Sequence, residues 1–281
     1  MIGGIFRFCK KIARRVYKRS YVEGALNPWA FIRVYNEEKT LKQSLDSIIP
    51  AISRGIIVYS GCTDRSKSII EDFCEKNTGF ICAFYPHEVA SVNCTKEERQ
   101  SKKSLSDYYN FALSFIPQGD WLIKIDADQI YDAEKLKKSF YLVKDDDEVV
   151  FYFRINLHLI DSKVYIDGDS PVFDPKDHWL ICNKGLYFKD VIISEKDNKI
   201  VYWELLKIPF KYKYYDAKLS TWHFPYLKTR RQRELNNLIP IKDYKKVIPQ
   251  EFLDRMDQDM FDEERILKLL ENEKIEDNKV G

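Results

Sequence analysis

Trp121-Leu122-Ile123-Lys124-Ile125-Asp126-Ala127-Asp128 decides how this chain reads, because an apolar strand pattern runs directly into two carboxylates separated by one residue. Alternate side chains of a strand share a face, so Asp126 and Asp128 project to one side of a strand end, where hard oxygen ligands can meet a divalent cation. A nucleotide diphosphate bound there has its charge neutralised. The competing reading is a capping turn between this strand and a helix near Ala133 to Tyr141. Other acidic triplets exist, and context separates them. Asp145-Asp146-Asp147 lies in a polar run that reads as a solvated turn, Asp167-Gly168-Asp169 surrounds a glycine, and Asp257-Gln258-Asp259 sits in an acidic helix. Only Asp126 and Asp128 follow a buried-strand pattern.

Upstream of this stretch, strands and helices alternate. Trp29 to Tyr35 reads as a first strand, and Asn36-Glu37-Glu38 leads into a helix with Leu41, Leu45, Ile48 and Ile49 on one face, stopped by Pro50. Gly55 to Tyr59 is a second strand, followed by the loop Ser60-Gly61-Cys62-Thr63-Asp64 and a helix over Ser66 to Lys76. Phe80 to Tyr85 is a third strand, and a helix around Leu105 to Phe115 precedes the strand that ends at Asp126. This order predicts an α/β fold with a mixed, mostly parallel central sheet, whose ligands bind beyond the carboxyl ends of the strands. Tyr35, Ser60 and Asp128 fall at such ends. Beyond Val149 the pattern changes to short aromatic strands, Val149 to Leu157, Trp179 to Cys182 and Val191 to Ile193, without regular helices between them.

At 281 residues, with 44% hydrophobic and 14% aromatic content, the chain can bury a sizeable core as one continuous globule. A net charge of +2 argues against a nucleic-acid partner, although charge is segregated into a basic N-terminus and an acidic C-terminus. The six cysteines form no Cys-x-x-Cys pair, which points to reduced thiols rather than structural zinc or a disulfide scaffold. No stretch approaches the roughly 20 apolar residues that span a bilayer, and no secretory leader pattern is visible, so a cytoplasmic location is expected. Residues 1 to 20 carry Arg7, Lys10, Lys11, Arg14, Arg15, Lys18 and Arg19 and no acid, with Ile5, Phe8, Cys9, Ile12 and Val16 at helical spacing. This suits a helix on the inner face of the cytoplasmic membrane, or one packed on an acidic surface of the protein itself.

Five collinear stretches resemble the inverting nucleotide-sugar glycosyltransferases of GT-A (Rossmann-like) fold, and more closely the bacterial lipooligosaccharide β-1,4-N-acetylgalactosaminyltransferases. They are Leu26 to Val34, Cys62-Thr63-Asp64, Tyr108-Tyr109-Asn110, Trp121 to Asp126, and His223-Phe224-Pro225, together covering roughly residues 25 to 235. The resemblance implies a UDP-sugar donor, an Mn²⁺ or Mg²⁺ ion, and transfer with inversion to a lipooligosaccharide or other oligosaccharide acceptor that carries a sialylated galactose. It implies that Asp128 ligates the metal and that Asp126 holds the metal's water or the ribose hydroxyls. His223 is a candidate further metal ligand, its alternative being a hydrogen-bonded core histidine. Arg33, Tyr35 and Glu37 lie where the first strand meets the nucleotide in the resembled fold, with Tyr35 offering a stacking face. Lys228, Arg230 and Arg231 suit a charged lid over the diphosphate, or else a solvated basic helix. Many relatives carry two acids before the glycine of the second-strand loop, whereas this chain has Tyr59-Ser60. That leaves Asp64 as the loop's acid, either at the donor or as a helix cap.

Inverting transfer needs a general base at the acceptor hydroxyl, and Asp177 is the candidate chosen, with Asp174 and Glu204 as rivals. The aromatic density of the second half suits either sugar stacking or a core. Trp179 is expected at the acceptor, and Lys184 or Arg154 at a sialic acid carboxylate. The chain divides into a basic amphipathic segment (1–24), a nucleotide-sugar-binding half (25–148), an acceptor-binding and catalytic half (149–240) and an acidic helical segment (241–281). That last segment packs on the core, meets the N-terminal helix or mediates oligomers, so the oligomeric state stays open. Two other readings are UDP-galactose, UDP-glucose or UDP-N-acetylglucosamine as donor, and a non-catalytic carbohydrate-binding protein on the same frame.

Overall fold

A computed structural model describes residues 26–91, 93–99, 102–196, 199–227 and 237–271. The basic segment at 1–24, together with Lys228, Arg230 and Arg231, lies outside them. Four parallel strands form one half of the large sheet: β3 (Phe80–Phe84), β2 (Arg54–Tyr59), β1 (Trp29–Val34) and β5 (Trp121–Asp126), in that spatial order. Their side chains alternate between two apolar layers. Ala30, Ile32, Ile57, Ile123 and Ile125 face α1 (Leu41–Ile48), α2 (Ser66–Lys76) and α4 (Ala133–Ser139). Phe31, Ile56, Val58 and Leu122 face α3 (Leu105–Leu113) through Tyr108, Tyr109 and Ala112. Both faces are therefore covered, which is why these strands read as near-continuous apolar runs.

Beyond β5 the sheet turns antiparallel. β9 (Val172–Cys182) pairs with β5 and with the long β7 (Glu148–Ile160), which pairs in turn with β8 (Lys163–Asp167), and β8 with β14 (Leu238–Pro240). The short strands β12 (Lys213–Asp216) and β13 (Thr221–His223) run parallel to β7, and β13 also pairs with β6 (Gln129–Tyr131). A separate three-stranded sheet consists of β4 (Asn93–Thr95), β11 (Lys199–Leu206) and β10 (Phe188–Lys196). The second half is more regular than its sequence suggested. Strand β9 extends well upstream of Trp179, and a full hairpin stands where only Val191 to Ile193 read as strand.

The C-terminal segment packs on the core, one of the three options open from sequence. Met260, Phe261 and Ile266, the last on α6 (Glu263–Glu271), join Trp222, Phe153 and Ile155 in one apolar cluster, with Phe252 of the short α5 (Gln250–Leu253) against it. The buried Trp222 indole donates to the Met260 carbonyl at 2.7 Å, and removing the donor leaves a buried acceptor at a cost of about 1–3 kcal/mol. Among the described residues, Cys62, Cys74, Cys82, Cys94 and Cys182 are free thiols. Among the described residues, no helix is long and apolar enough to cross a membrane.

Candidate active site

The strand that opened the sequence reading ends as expected, at the carboxyl edge of the parallel strands. The capping alternative falls to a different residue: Asp132, not Asp126 or Asp128, caps α4 by accepting the Lys135 amide at 3.0 Å. Two separate acid–histidine groups form at this edge.

The first surrounds Asp126. Lys124 precedes it by two residues and so shares its face, buried beside the Tyr109 ring. The Lys124 ammonium lies 2.7 Å from Asp177 and 3.9 Å from Asp126. Asp177 reaches this point through a bulge. Tyr152 pairs with His178 and Arg154 with Phe173, so Asp174 to Asp177 oppose the single residue Phe153 on β7. Pro175 has no amide hydrogen for the ladder, and Lys176 takes a φ of 57°. Such a bulge re-aims a side chain beside a site. Its neighbour His178 is buried, with Arg154 Nη1 2.6 Å from Nδ1 and Asp126 Oδ2 2.8 Å from Nε2. Guanidinium can only donate, so Nδ1 accepts and Nε2 carries the proton donated to Asp126. This tautomer requires Gln129, whose amide lies 2.9 Å from Nε2, to present its carbonyl oxygen. Burial and the nearby cations Arg154 and Lys124 hold the imidazole below its usual pKa, so it stays neutral. Burial opposes ionisation of Asp126 and Asp177, but Lys124 and His178 outweigh it and keep both carboxyls below the usual range.

The second group is Asp128 with His223. Strand β13 inserts between β6 and β7, setting His223 opposite Gln129 on one side and Asn156 on the other. Its Nε2 lies 3.1 Å from Asp128 Oδ2 and its Nδ1 2.7 Å from Asn156 Oδ1. The Asn156 amide is oriented by donating Nδ2–H to the Ser170 carbonyl at 2.7 Å, so its oxygen faces His223, and Nδ1 carries the imidazole proton. Burial pulls the His223 pKa down to about 4 despite the adjacent carboxylate, so the ring is neutral near pH 7. The Nε2 lone pair then faces the Asp128 carboxylate, a carboxylate–imidazole donor set of the kind that can hold a cation. A histidine fixed by a carbonyl on its far nitrogen is how proteins present imidazole to a metal.

Carboxylate with imidazole fits Mn²⁺, and fits Mg²⁺ through the carboxylate. Ligand atoms of Asp126, Asp177 and His178 also lie within 4.8 Å of one another. Lys124 already supplies the positive charge there, and Arg154 occupies the second nitrogen of His178. Asp128 with His223, and the Asp126, Asp177 and His178 group, are the two sets of described residues at this edge that could hold a divalent cation.

Arg33 lies in register with Asp126 and donates to the Tyr109 hydroxyl at 2.6 Å while covering its ring. Tyr35 is an exposed ring beside Gly61, whose φ of 55° suits glycine, and so offers a stacking face at the end of β1. Glu37 is buried and starts the turn into α1, its amide donating to Ser66 Oγ at 2.8 Å. Asp64 accepts the Ser66 amide at 2.9 Å and the Glu38 amide at 3.1 Å, so its carboxylate ties together the segments that follow the first two strands, while the N-cap position of α2 is Arg65. Asp174 turns toward Arg255, 3.8 Å away, and not toward the Asp126 group. Trp179 corrects the sequence expectation. It is 2% exposed and packs between Phe31 and Phe188, leaving no face for a sugar. Lys184 pairs with Asp146 at 2.8 Å, and Arg154 is committed to His178. Glu204 on β11 senses Arg33, Lys124 and Asp177, and burial lifts its carboxyl above the usual value.

No curated protein matches this chain. Among solved structures, a mannosyltransferase from Pyrobaculum calidifontis in complex with GDP-Man and Mn²⁺ is 15% identical, with a TM-score of 0.35 over 48% of this chain and 39% of that one. Glucosyl-3-phosphoglycerate synthase from Mycobacterium tuberculosis, in complex with Mg²⁺ and UDP, is 17% identical with a TM-score of 0.33, over 47% of this chain and 44% of that one. Each match spans less than half of the solved chain. The beta-1,4-N-acetylgalactosaminyltransferase (CgtA) family model matches residues 16–273, nearly the whole sequence, and the chain, with its α/β fold and mixed central sheet, belongs to that family.

Proposed function

We propose that this protein is an inverting glycosyltransferase that moves N-acetylgalactosamine from UDP-N-acetylgalactosamine, in β-1,4 linkage, to a sialylated galactose of a bacterial lipooligosaccharide. It works at the inner face of the cytoplasmic membrane. The observation that carries the reading is the family match over residues 16–273, supported by Asp128 and His223 lying 3.1 Å apart at the carboxyl edge of the parallel strands. When bound there, a divalent cation neutralises charge on the departing diphosphate.

The chain's own residues supply the rest. Asp126, held ionised by Lys124 and oriented by His178, accepts ribose hydroxyls. Tyr35 stacks on the base, and Arg33 positions the floor of the site through Tyr109. Lys228, Arg230 and Arg231 meet the diphosphate. Asp177, delivered by the bulge, removes the acceptor proton. One observation favours Glu204 in that role instead. Lys124 lowers the proton affinity of Asp177, whereas burial raises that of Glu204 toward the working pH of a general base.

The test is UDP release by the purified protein with Mn²⁺ and a panel of UDP-sugars, with and without sialylated lactose. Acceptor-stimulated release from UDP-N-acetylgalactosamine alone is the expected result. Selective release from another UDP-hexose would replace the donor, and metal-dependent UDP binding without turnover on any acceptor would make the protein a binder.

A further inference from the structure

The hairpin β10–β11 separates its residues by charge. On the side of the ladder shared with the buried Phe188, Tyr202 and Ile200, register pairs Phe188 with Leu206, Asp190 with Glu204, Ile192 with Tyr202 and Glu195 with Ile200, Ile192 (47% exposed) and Glu195 standing beyond the body of the protein. On the opposite face, Lys189 pairs with Leu205 and Val191 with Trp203. After the irregularity at Ile193, Ser194 pairs with Val201 and Lys196 with Lys199 on that same face. The ladder extends by one step, Lys207 donating its amide to the Tyr187 carbonyl at 2.9 Å, and this step also falls on the outward face. Asp190 and Glu204 lie on the inner face, while Glu195, on the same side of the ladder, is exposed at the hairpin's far end and paired with Lys96. Lys189, Lys196, Lys199 and Lys207 lie outward.

Between the outward lysines sits an apolar strip. Trp203 is 45% exposed and Leu205 41%, Tyr187 stands at the end of the ladder, and Phe210 in the following loop is fully exposed next to Lys211. An apolar patch rimmed by like charges is an interaction surface rather than scattered surface apolarity.

We propose that the outward face of β10–β11, with the Phe210 loop, docks on an anionic lipid surface. Exposed Trp, Tyr and Phe interleaved with Lys is the composition that a bilayer interface accepts, rings at headgroup depth and ammonium groups on the lipid phosphates. A second copy of the chain fits worse, because it would set lysine rims against lysine rims. A sugar subsite also fits worse, because no carboxylate lies among the described outward positions to bind hydroxyls. The surface is independent of the proposed donor and metal. Glu204 lies on the same strand, between Trp203 and Leu205, with its side chain on the opposite face. Docking would therefore hold the active site one sheet thickness from the lipid.

The test uses the full chain and vesicles of phosphatidylglycerol and phosphatidylcholine carrying brominated acyl chains. Tryptophan emission is expected to be quenched on binding, and the quenched component to vanish in Trp203→Phe, which conserves the apolar contact. Trp203→Glu with Leu205→Glu should weaken partitioning at least tenfold, and Lys189→Glu with Lys207→Glu several-fold, with unchanged thermal melting by circular dichroism. Vesicle binding without Trp203-dependent quenching would assign attachment to the basic residues before Leu26 and overturn the proposal. So would absence of vesicle binding, or a dimer that the Trp203→Glu, Leu205→Glu variant dissociates.

Discussion

Two aspartate–histidine pairs stand at the same sheet edge and are built in opposite ways. In Asp126–His178, the far imidazole nitrogen accepts a hydrogen bond from Arg154, so the near nitrogen donates to the carboxylate and the pair is internally satisfied. In Asp128–His223, the far nitrogen donates its N–H to Asn156 Oδ1, so the near nitrogen presents its lone pair toward the carboxylate. The near-side distances, 2.8 and 3.1 Å, barely differ. On the proposed function, what separates the structural pair from the cation site is the group behind each ring, a donor in one case and an acceptor in the other.

Breaking the cation side should have the largest effect. Asp128→Ala is expected to reduce Mn²⁺-dependent UDP release by about 1,000-fold or more with an unchanged circular dichroism spectrum, and full activity would remove Asp128 from the mechanism. Next comes the base: Asp177→Asn or Glu204→Gln, whichever is the proton acceptor, should slow transfer by about 100-fold at unchanged UDP-sugar affinity. A near-normal rate in one variant hands the role to the other. Asn156→Ala tests the comparison itself. Releasing the His223 ring should weaken Mn²⁺ binding by about 10- to 100-fold, with activity regained at high Mn²⁺. The smallest change in metal binding belongs to the satisfied pair: His178→Ala should leave Mn²⁺ affinity unchanged while lowering stability by about 1–3 kcal/mol, read from denaturant unfolding. If His178→Ala lost Mn²⁺ binding and Asn156→Ala kept it, the assignments would be reversed.

Much of this edge could be read in advance. The apolar run before Asp126 fixed a strand end, and the Trp222-His223-Phe224-Pro225 stretch pointed to the histidine. The groups behind the rings could not be read, because Arg154, Asn156 and His158 alternate along β7 as one polar face, and alternation does not say which partner each residue meets. Lys124 was visible as the one charge inside a buried-strand pattern, a signal that its strand faces a charged site. His178 was hidden because a bulge breaks the period-2 rule, although Pro175 marked the break. Trp179 was misplaced because periodicity tells which residues share a face, not what covers it. The β10 strand was under-read for a related reason: its outward lysines interrupt the apolar alternation from which strands are inferred.

The bulge at Asp174 to Asp177 has one more consequence. Paired ladder lies on both sides of it, Phe173 with Arg154 before and His178 with Tyr152 after, so a residue added or removed between them leaves the sheet's alignment intact. Elsewhere in β7 and β9 a one-residue slip would turn a whole strand over. Here chain length is an adjustable quantity that alters how far the Asp177 carboxylate extends from the sheet. A protein engineer seeking a different acceptor would start by varying these four residues in number before varying them in kind.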